Sequence, residues 1–136
     1  MNDPLQTYLA DTLAKIDGAL ACLVTDLTTR EILAVAHRVP YFSEPLLEAV
    51  VAAAVNMFRG KNTIAVENLL SAQSGEHIEK SVLEIQTTTK HTFHFMAILP
   101  EKPDILMVVV TSRNINLGMG WSAVRNCLNE VTKLCN

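Results

Sequence analysis

Two short segments, residues 19–25 and 105–110, are apolar at almost every position and constrain the fold more than any other feature of this chain. A strand with one face in solvent alternates apolar and polar residues. A continuous apolar run of this length indicates a strand that is buried on both faces. We therefore expect both segments at the centre of a sheet that carries helices on both of its faces.

Three other segments repeat their apolar residues at the spacing of an amphipathic helix. The first covers residues 5–16. The second begins at Ser43, a helix-capping residue with Pro45 in the first turn, and runs to about residue 59. The third lies at the C-terminal end, where the predicted buried stripe is Leu117, Trp121, Val124, Leu128 and Val131.

The remaining strands follow from short apolar or alternating runs between turn residues. Residues 31–37 lie close enough to 19–25 to form a hairpin, and residues 82–89 and 92–99 precede 105–110 with short turns between them. The predicted order is α-β-β-α-β-β-β-α. We therefore predict an α+β sandwich in which helices flank a five-stranded antiparallel sheet, as one domain spanning residues 1–136.

Charge and composition narrow the classes of partner. The 136 residues carry a net charge of −3 and no run of basic residues, which argues against nucleic acid as a partner. No apolar segment is long enough to cross a membrane, and the first residues lack the pattern of a signal peptide. The three cysteines have no metal-binding spacing and suit a reducing compartment. We expect a cytoplasmic protein that does not insert into membranes.

The sequence contains none of the established nucleotide-binding or metalloprotease motifs. Gly118 and Gly120 open the last helix and resemble a phosphate-binding turn, but close packing of that helix on the sheet is the favoured interpretation. His91 and His94 lie three residues apart, so on one strand they point to opposite faces and do not share a metal ion. We predict no catalytic, metal-binding or cofactor-binding site, and no enzymatic activity.

The cysteines and two serines have structural explanations. Nothing in the sequence near Cys22 or Cys127 would lower a thiol pKa, so we expect both side chains to be packed in the core. Cys135 is expected to be exposed where the last helix frays. Ser43 and Ser112 lack the context of a catalytic serine and are assigned to a helix cap and a turn.

The helix that begins at Ser43 is more apolar than one packing face requires. Its apolar residues span an arc of about 200°. One stripe, which we expect to face the sheet, consists of Leu46, Val50, Ala53 and Met57. A second stripe, which we expect to contact another molecule, consists of Leu47, Val51, Val55 and Phe58. The alternative is that residues 61–77 cover the second stripe, with a short helix over 63–72 closed by Gly75.

Polar residues complete the predicted interface. Glu44, Glu48 and Arg59 are expected at the rim of the second stripe, where a partner protein would meet them. Residues 82–89 alternate in polarity, which is typical of a half-exposed edge strand. Glu84, Gln86 and Thr88 are the polar positions of this strand, and such an edge can pair with a second copy of itself. We therefore expect a homodimer.

The sequence resembles the roadblock / dynein light chain family. The resemblance covers nearly the whole chain and is carried by the element order, the run from Gly18 to Asp26, and the Asn116-Leu117-Gly118-Met119 start of the last helix. One departure is the first hairpin turn, where Leu27, instead of the usual glycine, follows Asp26. The resemblance implies a five-stranded antiparallel sheet between helices and a homodimer whose sheets and middle helices meet. It also implies small Ras-like GTPases as partners of the bacterial members, some of which are activators and others scaffolds.

These observations lead to one favoured function and two alternatives. The favoured function is a non-enzymatic homodimeric regulator or scaffold that binds a small Ras-like GTPase. Any stimulation of GTP hydrolysis would come from positioning the GTPase's own switch residues. One alternative is a module that senses a small molecule, or a structural adaptor, which for sensing needs a pocket with converging polar groups. An enzyme ranks last. The sequence leaves open the identity of the partner, activation versus passive binding, and the side of the dimer that the partner contacts.

Overall fold

The computed structural model describes residues 3–40 and 42–135. Its elements are α1 (Asp3–Lys15), β1 (Ala19–Asp26), β2 (Ile32–His37), α2 (Glu44–Arg59), α3 (Lys61–Ser74), β3 (Glu84–Thr88), β4 (Thr92–Leu99), β5 (Lys102–Ser112) and α4 (Leu117–Leu134). The strands form one five-stranded sheet in the order β2-β1-β5-β4-β3. Every neighbouring pair is antiparallel, which confirms the predicted fold class. Residues 61–77, which the predicted element order left without an element, contain the helix α3.

The two apolar segments occupy the centre of the sheet, as predicted. β5 is the middle strand and pairs with β1 and β4. Residues 21–25 of β1 and 106–111 of β5 are all buried. The predicted edge strand is also confirmed, because β3 pairs only with β4.

The hairpin between β1 and β2 closes without the usual glycine. The Asp26 carboxylate oxygen Oδ1 accepts hydrogen bonds from the backbone amides of Thr28 (2.8 Å) and Thr29 (3.1 Å). Arg30 then adopts the left-handed conformation, with φ of 65°. An aspartate side chain that bonds the backbone of the turn therefore replaces the glycine expected from the family resemblance.

Helices α1 and α4 cover one face of the sheet. The stripe of α4 that packs there is rotated from the predicted one, because its buried residues are Gly120, Val124, Cys127 and Val131. Leu117 is 41% exposed. The favoured interpretation of Gly120 is confirmed, since a Cβ atom at this position would lie only 2.4 Å from the Phe95 ring. Gly120 lets the helix backbone approach the sheet, and this turns the stripe away from Leu117.

Helix α2 covers the opposite face, and here the predicted orientation is wrong. The residues of α2 that are buried against β1, β4 and β5 are Leu47, Val51, Ala54 and Phe58. Three members of the predicted intermolecular stripe therefore belong to the core of the single chain, and Val55 packs beside them. The stripe assigned to the sheet, Leu46, Val50, Ala53 and Met57, is half-exposed or exposed instead.

The alternative, in which residues 61–77 cover the second stripe of α2, is also wrong. No residue of α3 in the described chain belongs to the core cluster under α2, and Glu67 is the only buried residue of this helix. α3 does contact α2 at their junction, where the Thr63 hydroxyl donates a hydrogen bond to the Met57 carbonyl. Its end agrees with the sequence, since Gly75 closes it in the left-handed conformation. The sheet itself covers the stripe.

Candidate interaction surfaces

The half-exposed flank of α2 is the first candidate surface, and it is the stripe of Leu46, Val50, Ala53 and Met57. On an α-helix this flank lies about 100° from the buried line of Leu47, Val51 and Phe58. Val50 and Met57 pack only partly against the core, and Ala53 is exposed. The flank is thus an apolar strip that the chain covers incompletely.

Val50 of this flank lies over the two central strands. It shares a small cleft with Ala21 and Leu23 of β1 and with Val108 and Val110 of β5. On the other side of α2, Glu48 and Ala52 line a separate groove with Arg30 of the β1–β2 turn. Farther along the sheet, Ile85 of β3 and Ile98 of β4 are also only partly buried in the core beneath α2. The α2 face is therefore less completely covered toward β3 than at its centre.

The β3 edge is the second candidate surface. Leu83 accepts a hydrogen bond from the Ile98 amide, and the Thr89 amide donates to Thr92. Hydrogen-bonded and non-hydrogen-bonded pairs alternate along an antiparallel ladder, so the bonds to β4 fall on the odd-numbered residues of this strand. The backbone N–H and C=O groups of Glu84, Gln86 and Thr88 consequently point outward, away from β4. These are the three positions of this strand that the sequence analysis assigned to the interface.

An ion pair holds this edge against α4. The Arg125 guanidinium donates two hydrogen bonds to the Glu84 carboxylate, at 2.9 and 2.7 Å, and lies 4.9 Å above the Trp121 ring centre. These hydrogen bonds lower the pKa of Glu84 below its ordinary value. The Gln86 side chain donates to the Thr88 hydroxyl at 2.9 Å. The polar side chains of Glu84, Gln86 and Thr88 therefore share the α4 face of an ordered edge strand.

The predicted rim residues divide into two groups. Glu44 and Glu48 are exposed on α2, so the structure leaves them accessible to a partner. Arg59 is instead engaged within the chain. Its guanidinium donates to the Pro103 carbonyl and lies 3.7 Å from the Asp104 carboxylate, which Lys80 also contacts at 3.0 Å. Arg59 holds the end of α2 against the first residues of β5.

The sequence did not reveal the apolar surface of α3. Its exposed apolar residues are Ile64 at 46%, Val66 at 55%, Leu69 at 63% and Leu70 at 45% of their full accessibility. On the buried side, the Glu67 carboxylate accepts hydrogen bonds from the Ser81 amide (2.7 Å) and hydroxyl (2.6 Å), which lower the pKa of Glu67. The weak periodicity of residues 61–77 reflects this helix, which has apolar residues in solvent and a carboxylate on its buried side.

The cysteines and histidines that the sequence analysis weighed as reactive or metal-binding residues lie in surroundings that favour structural roles. Burial raises the pKa of Cys22 to about 12 and that of Cys127 to about 11, which removes thiolate character. The prediction that Cys135 is exposed is wrong, because its side chain is buried where the last turn of α4 packs on the core. His91 is exposed in a turn, whereas His94 is half-buried on β4. No group of three or more potential metal ligands occurs in the described residues.

A cavity of about 460 Å³ lies between the end of α1 and the start of α4. Lys15, Asp17, Asn116 and Met119 are among its lining residues. The Asn116 side-chain oxygen is already engaged, since it caps α4 by accepting from the amides of Gly118 (2.8 Å) and Met119 (3.3 Å). The cavity thus has the volume of a small-molecule site, but one of its polar groups is used for helix capping. Across residues 3–40 and 42–135, no helix is long and apolar enough to span a bilayer.

Comparison with known proteins places the fold. No protein-family model matches the chain, and no curated protein matches it by sequence. Among solved structures, it is similar to the gliding protein MglB from Thermus thermophilus, at 16% identity and a TM-score of 0.71 over 98% of this chain and 89% of that chain. It is also similar to an MglB structure with a tetrameric arrangement, at 16% identity and a TM-score of 0.71 over 98% of this chain and 88% of that one.

A third similar structure names the fold directly. A Roadblock/LC7 domain from Streptomyces avermitilis is 9% identical, with a TM-score of 0.60 over 93% of this chain and 97% of that domain. At such identities the similarity concerns the fold, and it agrees with the antiparallel sheet between helices described above. The chain therefore has the roadblock fold that its sequence resemblance implies.

Proposed function

We propose that this protein is a non-enzymatic homodimer that binds a small Ras-like GTPase as a regulator or scaffold. The main structural support for the homodimer is that β3 has an outward-facing backbone and that the apolar flank of α2 is incompletely covered. A second copy approaching along β3 pairs strand with strand and brings apolar residues onto the open part of this face. The fold shared with MglB and a Roadblock/LC7 domain supports the same proposal.

The proposed dimer interface keeps the predicted residues of the β3 edge and replaces the predicted apolar stripe of α2. The polar edge residues Glu84, Gln86 and Thr88 remain in it, and they contribute backbone hydrogen bonds across the two-fold axis. Leu46, Val50, Ala53 and Met57 of α2 replace the buried stripe as its apolar component. Main-chain pairing supplies directionality, whereas burial of the flank supplies the hydrophobic contribution.

The proposed GTPase partner rests on the family resemblance together with the shared fold. Glu44 and Glu48 are exposed on the opposite side of α2 from the flank and are the proposed contacts with the GTPase. Such charges mainly set the rate and specificity of encounter and contribute little affinity. Any acceleration of hydrolysis would come from positioning the GTPase's own switch residues, because this chain has no recognised nucleotide-binding motif.

The dimer is tested by sedimentation equilibrium at micromolar concentration. The expected mass is twice that of the 15.0 kDa chain. A mass of one chain across this concentration range would contradict the proposal.

The GTPase partner is tested with a purified small Ras-like GTPase from the same host, loaded with GDP or a non-hydrolysable GTP analogue. Binding that depends on the nucleotide is expected, and a Glu44→Lys/Glu48→Lys variant should associate more slowly while it remains a dimer. Single-turnover GTP hydrolysis with and without the protein then separates an activator from a scaffold. No binding in either nucleotide state to any such GTPase of the host would reject this partner class.

The cavity between α1 and α4 supports a second candidate function, the sensing of a small molecule. Its volume of about 460 Å³ lies within the range of ligand sites. A thermal-shift screen with small organic metabolites tests it, and Ala123→Phe, which places a ring among the lining residues, is the matched control. A stabilising metabolite whose effect this variant abolishes would favour sensing.

A further inference from the structure

The outer edge of β2 is closed by a side chain. Arg38, just beyond β2, donates its backbone N–H to Leu20, and the register pairs Val35 with Leu23. Because bonded and non-bonded pairs alternate, the N–H and C=O of Val35 point away from β1, toward the sheet edge. They would be available to an added strand unless another group occupied them.

Gln6 of α1 occupies both groups. The Val35 amide donates to Gln6 Oε1 at 3.0 Å, and Gln6 Nε2 donates to the Val35 carbonyl. A residue on a paired antiparallel strand would exchange the same two hydrogen bonds with Val35. The primary amide of Gln6 therefore takes the place of a strand at the middle of β2.

The helix that carries Gln6 is held firmly in position. Leu5, Leu9 and Leu13 of α1 are buried in the core on this face of the sheet. The Arg38 guanidinium donates to the Leu13 carbonyl, which ties the far end of α1 to the end of β2. Gln6 thus reaches the edge from a fixed backbone, and the two hydrogen bonds need little reorganisation.

The β3 edge has no equivalent closure in the described part of the chain. No side-chain hydrogen bond to the outward backbone groups of Glu84, Gln86 or Thr88 is present among residues 3–40 and 42–135. The two edges of one sheet therefore differ, since β2 is occupied by an amide and β3 presents free backbone groups.

We propose that Gln6 determines which edge of the sheet assembles. It blocks pairing of β2 with the β2 of a second copy, so that the sheet extends only at β3. The inference rests on the homodimer proposed above. Pairing two chains through β3 leaves a β2 edge at each end of the joined sheet. If these β2 edges were unblocked, they would pair with the β2 edges of further dimers and form an assembly without a fixed size. With Gln6 in place, assembly stops at the dimer.

The test compares Gln6→Leu with the wild-type chain by sedimentation velocity over a wide range of concentration. The variant keeps a side chain of similar bulk but removes both hydrogen bonds. Its mass is expected to rise with concentration to at least twice that of the wild-type assembly, whereas the wild-type mass reaches a ceiling. A folded Gln6→Leu chain with wild-type mass at every concentration overturns the proposal.

Two matched variants identify the cause of any association. Thr7→Leu adds the same apolar side chain at an exposed neighbouring position and is expected to behave as wild type. If Thr7→Leu associates as strongly as Gln6→Leu, added apolar surface is responsible and the proposal fails. Adding Val35→Pro to Gln6→Leu removes the edge N–H at a position where an edge strand tolerates proline, and it should restore the wild-type mass. Persistent association of this double variant would also overturn the proposal.

A second measurement covers the case in which Gln6→Leu does not fold. Hydrogen exchange at the Val35 amide is followed in Gln6→Ala at low concentration, and exchange at least tenfold faster than in wild type is expected. Unchanged exchange overturns the role of Gln6. If the wild-type chain sediments as a monomer, the proposed homodimer is rejected. The role of Gln6 is still tested in that case, because the comparison of Gln6→Leu with wild type reports on the β2 edge.

Discussion

The two faces of the sheet are completed to different extents. On one face, α1 and α4 together enclose a core in which Phe95 and Val124 have no exposed surface. On the other face, α2 alone buries its central line, and Ile85, Ile98 and Met57 remain partly exposed around it. Two helices therefore cover the first face and a single helix covers the second, which stays partly open beside the free edge of β3. An incomplete face next to an unpaired strand is what a second copy can complete.

The largest expected effect is on the core beneath α2. Val51 is 2% exposed, so Val51→Asp places a carboxylate in the apolar core and should lower the free energy of unfolding by about 3–5 kcal/mol. This is a large share of the stability of a typical domain. Circular dichroism melting should show an unfolded or strongly destabilised chain. A variant that melts as wild type would show that the α2 face is solvated.

The second prediction concerns the close packing of α4. A Cβ atom at Gly120 would lie 2.4, 2.8 and 2.9 Å from three atoms of the Phe95 ring. Gly120→Ala should therefore cost about 1–3 kcal/mol from overpacking, set against about 1 kcal/mol gained in helix propensity. Chemical denaturation should give a net loss of stability. In a double-mutant cycle with Phe95→Leu the loss should shrink, and additive effects would refute a direct clash.

The third prediction compares two neighbouring alanines of α2. Ala53 is exposed on the flank, whereas Ala54 is 1% exposed in the core. The change to Asp has the same intrinsic helix cost at both positions, so position alone decides the outcome. Ala53→Asp should remain folded and weaken the dimer about tenfold or more, because a charge enters the proposed interface.

Ala54→Asp is the control for this comparison and should unfold the chain. Melting curves and equilibrium sedimentation on both variants provide the readout. An Ala53→Asp dimer of wild-type affinity would remove the flank from the interface.

The smallest effect is expected at the ion pair between α4 and the β3 edge. Arg125→Ala removes the hydrogen bonds that lower the pKa of Glu84, so this pKa should rise toward its ordinary value in an NMR titration. The pair is solvent-exposed, and the change in stability should be small. A lowered folded pKa stabilises the chain above the unfolded pKa, and this contribution disappears as pH falls through the folded pKa. Wild type and variant should therefore converge in stability in acid, and a difference that grows in acid would contradict the assignment.

The sequence by itself determined the elements that depend on local pattern. The continuous apolar runs identified β1 and the buried part of β5 as central strands, and alternation in residues 82–89 identified β3 as an edge. The capping residue Ser43 and the predicted end near residue 59 agree with the structure, in which α2 begins at Glu44 and ends at Arg59. These features depend on the alternation of side-chain direction along a strand and on capping residues at helix ends. Both involve only a few neighbouring residues, so the sequence shows them directly.

Only the tertiary structure decided which side of each helix meets the sheet. The apolar arc of α2 is broad enough for either stripe to pack, and hydrophobicity alone does not distinguish Val51 from Val50. Contacts remote in sequence accompany the choice, such as Arg59 with Asp104 at the end of the helix. The pairing of Gln6 with Val35 spans 29 residues and likewise has no local signature. Periodicity reports the width of an apolar face, whereas its orientation depends on which distant atoms come within contact distance when the chain folds.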